Sequence, residues 1–156
     1  MRDHAEQRRL ARYAGRFAVV HSGRRSGKTE IAKRRLARLA MCNFGLHLVF
    51  AAPTRDQAKR LAWADLKALM PAAQLAKPPS ETELSITTVS GSTLRVVGMD
   101  RPERAEGDSQ GIDGIVLDEY GNMPATTWGE HIRPALSTPG RRPGWAWFVG
   151  VPESST

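Results

Sequence analysis

Apolar residues in this chain fall into short dense runs, separated by stretches in which they return every three or four positions. The run FAVVH, residues 17–21, is rich in β-branched side chains and stops at Ser-Gly, which predicts a buried strand. In residues 27–42, GKTEIAKRRLARLAMC, Ile31, Ala32, Leu36, Leu39 and Ala40 share one side and Arg34, Arg35 and Arg38 another, the pattern of an amphipathic helix. A second buried strand, LHLVFAAP, ends at Pro53. Thr54 and Gln57 then form a capping box, in which a hydroxyl and an amide satisfy backbone N–H groups at a helix start. Ala58, Leu61, Ala62, Leu66 and Leu69 carry that helix on to Pro71.

Beyond the proline-punctuated connector at 71–80, ELSITTVSGSTLRVV alternates around Ser-Gly-Ser and predicts a β-hairpin. Residues 98–111, GMDRPERAEGDSQG, are polar and too irregular for a regular element, as functional loops often are. IDGIVLDEY is a third buried strand ending in two acids, PATTWGEHIRPALS predicts a helix around residues 128–135 kinked or ended by Pro134, and GWAWFVGVP is a last apolar strand. Strands that alternate with helices are the signature of a mostly parallel sheet covered on both faces, here with a hairpin inserted.

With 156 residues, one domain with its own core is the expectation. Apolar residues at 40% and charged residues at 25% match a globular chain. The longest apolar runs fall far short of the roughly 20 residues that span a bilayer, and the Arg-rich start has no apolar signal core. No membrane association is expected. The single cysteine, Cys42, excludes an internal disulfide, and its place on the helix predicts an inert core thiol. The four histidines show no metal-ligand spacing, and the four tryptophans read as core or domain-contact residues.

Charge is uneven: residues 1–60 hold 15 Lys/Arg against 4 Asp/Glu, and residues 61–156 hold 8 against 12. A basic half draws anionic partners, nucleic acid first among them, although a solvated basic face has the same composition.

Chemistry enters at SGRRSGKT, residues 22–29. It fits the phosphate-binding pattern G-x-x-x-x-G-K-[ST] at Gly27, Lys28 and Thr29, with Ser22 in the place of the first glycine. Strand, tight loop and helix are the context this pattern requires. Backbone N–H groups of Ser22, Gly23, Arg24, Arg25, Ser26, Gly27, Lys28 and Thr29 would surround phosphates at a helix N-terminus. Lys28 would reach the β/γ-phosphates and Thr29 would ligate Mg²⁺. The second element is GIVLDEY, where Asp118 would hold the metal and Glu119 would orient and polarise the attacking water.

These residues together resemble the ATPase domain of the large terminase subunit, the motor that packages double-stranded DNA into tailed-phage capsids. The resemblance spans about residues 15–152 and rests on SGRRSGKT, APTRDQAKRLAW, the hairpin followed by RPERAEG, GIVLDEY, WGEHIRPALS and a strand-end GVP. It implies a three-layer P-loop NTPase fold of the RecA-like, additional-strand, catalytic-glutamate type. A basic N-terminal segment, 1–16, would supply adenine contacts, with Gln7, Arg12 and Arg16 as candidates, ahead of an ATPase domain at 17–156. Arginine inside the phosphate loop is a family habit, so Arg24 would contact the γ-phosphate in cis. Arg104, or Arg101, would act in trans on the neighbouring subunit of a homo-oligomeric ring. The turn after the last strand would couple hydrolysis to DNA movement, but Val151 stands where the family has a small hydroxyl residue. The implied cofactors are ATP and Mg²⁺. The implied partners are double-stranded DNA, the small terminase subunit and the portal or procapsid, in the cytoplasm of a bacterial host. The family's C-terminal nuclease domain has no counterpart in these residues, so no DNA cleavage is expected of this chain.

Two alternatives stay open from sequence. DEY is shared with helicase-like ATPases, although no second lobe or helicase arginine motif accompanies it. A non-catalytic, ATP-gated DNA-binding module is the other, opposed by the intact Lys28, Asp118 and Glu119.

Overall fold

The computed structural model describes residues 17–20, 27–106, 111–137 and 143–150. Its elements follow in chain order: β1 (Phe17–Val20), α1 (Lys28–Cys42), β2 (His47–Ala52) and α2 (Arg55–Ala58). A π-helical stretch (Lys59–Trp63) continues α2 into α3 (Ala64–Leu69), so the three form one rod. Then come β3 (Ser85–Thr87), β4 (Thr93–Gly98), α4 (Glu103–Glu106) and β5 (Gly114–Leu117). A second π-helical stretch (Thr127–Ile132) leads into α5 (Arg133–Ala135), and β6 is Trp145–Val149.

The strands form a single sheet in the order β1-β6-β5-β2-β4-β3. All neighbours are parallel except β3, the first strand of the expected hairpin, which pairs antiparallel with β4. Central strands buried on both faces are near-continuous in apolar residues, as LVFAA and GIVL are. Period-two alternation sorts them. Leu48, Phe50, Val116 and Trp147 join Leu36, Trp63 and Leu66 on the face covered by α1 and the α2–α3 rod. Val49, Ala51, Ile115, Leu117 and Phe148 join Ala105, Ile132 and Leu136 on the other face. The result is the expected three-layer α/β sandwich.

Several local expectations are corrected. Residues 98–111 are not wholly irregular, because α4 forms there and its Ala105 is fully buried. Cys42 is exposed. It lies two residues past the buried Ala40, about 200° around a helix of 3.6 residues per turn, and so falls on the opposite side from the core. Arg35 does not share a solvent face with the exposed Arg34 and Arg38. Its guanidinium lies 4.5 Å from the ring centre of Trp145 and 4.9 Å from that of Trp147, a cation–π stack over strand β6. Pro134 sits in the first turn of α5, just past the π-helical stretch, where its missing N–H is accommodated, and the helix ends one residue later at Ala135.

Candidate active site

Each parallel strand delivers its C-terminal end to the same edge of the sheet, where open α/β sheets bind their ligands. At β1 that edge leads toward the phosphate-loop sequence. Gly27 has φ 74°, a left-handed conformation that glycine adopts without strain, and its carbonyl accepts from the Ile31 N–H at 3.2 Å to close the first turn of α1. Among the described residues, no side chain caps α1. Its first N–H groups are therefore left for another acceptor, and an anion is the natural one.

At the end of β5, Asp118 is 4% exposed. The Thr29 hydroxyl donates to its Oδ2 at 3.3 Å, across 89 residues of sequence, and the Glu119 N–H donates to its Oδ1 at 2.8 Å. Burial raises the Asp118 pKa above the ordinary aspartate value, against the opposing pull of those two hydrogen bonds. A hydroxyl and a carboxylate this close are hard oxygen donors of the kind Mg²⁺ takes, and the residues present fit that ion.

Glu119 is half-buried and holds φ 53°, a left-handed conformation unusual for a residue with a side chain. Its carboxylate accepts from Gln57 Nε2 at 3.2 Å. Gln57 completes the expected capping box with its other end, its Oε1 accepting from both the N–H and the hydroxyl of Thr54. The capping pair was legible in sequence; the reach of the Gln57 amide to Glu119 was not. From β6, Gly150 comes so close that a Cβ there would stand 3.0 Å from Glu119 N and 3.1 Å from Asp118 Oδ1.

Ser22, Gly23, Arg24, Arg25, Ser26, Val151 and the adenine candidates Gln7, Arg12 and Arg16 lie outside the described residues, as do the side chains of Lys28 and Arg104. The backbone of Arg104 lies in α4, which Arg95 of β4 tethers by donating to the Ala105 carbonyl at 3.1 Å. Arg101 is exposed just before that helix.

No protein-family model matches the chain. Among curated proteins it is 27% identical, over 96% of its own length, to the terminase large subunit of Thermus virus P23-45; it spans about a third (34%) of that relative. Among solved structures it superposes with a TM-score of 0.80 on the large terminase ATPase domain of Thermus phage P74-26, at 24% identity, covering 96% of this chain and 65% of the other. The large terminase of the thermophilic bacteriophage D6E in complex with ADP gives a TM-score of 0.69 at 16% identity, over 92% of this chain and 37% of the other. The chain thus has its sequence relatives among phage terminase large subunits and carries the P-loop fold of the large terminase ATPase domain.

Proposed function

We propose that this chain hydrolyses ATP with Mg²⁺ as the motor domain of a phage or prophage DNA-packaging machine. The observation that carries the reading is the Thr29–Asp118 contact at 3.3 Å. It joins the start of the phosphate-loop helix to the acidic end of β5, with Glu119 next in the chain. Thr29 and Asp118 would hold Mg²⁺, which when bound offsets phosphate charge. The N-terminus of α1 and Lys28 would bind the phosphates. Glu119 would take the proton of the attacking water or orient it. Arg24 in cis and Arg104 or Arg101 in trans would oppose charge that develops on the γ-phosphate. The large terminase of bacteriophage D6E has been seen with ADP and with ATP-γ-S, which supports a nucleotide ligand here.

The moved partner would be double-stranded DNA, gripped by a homo-oligomeric ring docked on the portal of a procapsid and loaded by a small terminase subunit in the host cytoplasm. Phosphate release from ATP, followed across a protein concentration series, tests the reading. The expected result is Mg²⁺-dependent turnover that rises faster than linearly with protein, disappears in Lys28→Ala and falls in Arg104→Ala. Glu119→Gln should keep ATP binding while losing turnover. Nucleotide binding in the parent with no turnover at any concentration, and no change in Glu119→Gln, would instead identify a gated binding module.

A further inference from the structure

Lys33 stands one helical turn beyond Thr29 on α1 and is 2% exposed. Its ammonium has three N–H donors and meets three acceptors: Glu30 Oε1 at 2.7 Å, the Leu61 carbonyl at 2.9 Å, and the Asp65 carboxylate. Glu30 belongs to α1 itself. Leu61 lies in the π-helical stretch and Asp65 in α3, so two of the three acceptors come from the neighbouring rod. Burial alone would pull the Lys33 pKa down, yet the hydrogen bonds to Asp65 and Glu30 outweigh it and the group is held charged.

Around this point the two helices meet through apolar side chains such as Leu36, Ala37, Ala62 and Leu66. Apolar contacts resist separation but define sliding poorly, whereas a buried charge with matched acceptors tolerates only one register. Each helix also ends in the candidate site. α1 begins at Lys28 and Thr29, and the first turn of the rod carries Gln57, whose amide holds Glu119. A single-turn π segment inside a helix is itself a feature that concentrates at functional sites.

We infer that Lys33 is a positioning residue. By pinning α1 to the π-helical stretch and α3, it fixes where Thr29 and the phosphate-loop helix stand relative to Glu119. The inference rests on the ATPase reading above, because that reading gives the distance between these groups its catalytic meaning.

Lys33→Met tests it, since the stem is kept and the ammonium removed. The side chains of both carboxylate partners are more than half exposed (56% for Glu30 and 55% for Asp65) and return to water without being stranded. The expected result is a kcat lower by about 10- to 100-fold, the effect of a small misplacement remote from the chemistry. Affinity for ATP-γ-S at saturating Mg²⁺ should stay within about threefold of the parent. Asp65→Ala, which removes the charged half of the tie to the rod and leaves the Leu61 carbonyl, should lower kcat in the same direction, while Glu30→Ala should not. Deuterium exchange should quicken at residues 28–31 in Lys33→Met and Asp65→Ala.

Equal effects of Asp65→Ala and Glu30→Ala would overturn the cross-helix role. So would parent-like kcat and exchange in Lys33→Met. If the parent itself does not hydrolyse ATP, the functional reading fails separately, and exchange decides the tie. Faster exchange in Lys33→Met sustains it, and unchanged exchange overturns it.

Discussion

Asp118 and Glu119 are neighbours in the chain, yet their surroundings give them opposite properties. Asp118 is buried against β5, and burial is the main cause of its raised pKa. A folded-state pKa above the unfolded one means that the native chain holds this proton more tightly than the unfolded chain does. That contribution to stability is fully present below the unfolded value of about 3.9 and is lost as pH rises through the folded value. Metal-free Asp118→Asn, which cannot ionise, should therefore melt at a higher temperature than the parent at pH 7, the difference narrowing as pH falls toward about 4. Thermal melts in EDTA across that range check it. Glu119 instead stores backbone strain at φ 53°. Relief of a left-handed non-glycine residue is worth about 1–3 kcal/mol, offset by about 0.5–1 kcal/mol for glycine's greater freedom in the unfolded chain. Glu119→Gly should accordingly gain about 1 kcal/mol in denaturant unfolding while losing turnover, a trade of stability for function.

Among the elements, the junction between β4 and α2 is the most tightly constrained. Gly98 ends β4 where the Thr54–Gln57 cap opens α2, and a Cβ on Gly98 would lie 2.1 Å from Arg55 N and 2.5 Å from Thr54 C. Both neighbours are backbone and cannot swing aside. Gly98→Ala should destabilise by on the order of 3 kcal/mol or more, and the displaced cap should release Gln57 from Glu119. Urea unfolding, with exchange at residues 54–58, would read both effects. The capping box was legible because T-x-x-Q is a local signal. The two π-helical stretches were not, since an apolar pattern at three and four positions reads the same through an extra residue per turn.

Over the whole molecule, the strand order matters more than any element. β6 stands between β1 and β5. The phosphate-loop strand and the acidic strand are therefore two strand spacings apart, about 10 Å, which leaves room for a phosphate group between their ends. The same strand carries Trp147 into the core beneath α1, where it is 1% exposed and stacked by Arg35. Trp147→Ala should cost about 3–5 kcal/mol, a large part of the 5–15 kcal/mol that holds a domain together. Loss of the cooperative unfolding transition near 37 °C would be the signature.

By itself the sequence determined the strands, the helices that follow β1 and β2, the inserted hairpin and the cap at Thr54, and it named Thr29 and Asp118, which the fold brings within 3.3 Å. All of these are encoded by local periodicity or by short motifs whose chemistry needs fixed residue types. Tertiary structure alone decided that Gln57 reaches Glu119, that Arg35 turns onto the tryptophans of β6, that Cys42 faces outward, and that Lys33 finds Asp65 across 32 residues. Periodicity states which side of an element is apolar. Which polar group meets which depends on how two elements are set against each other, and that is fixed only when the sheet and its layers pack.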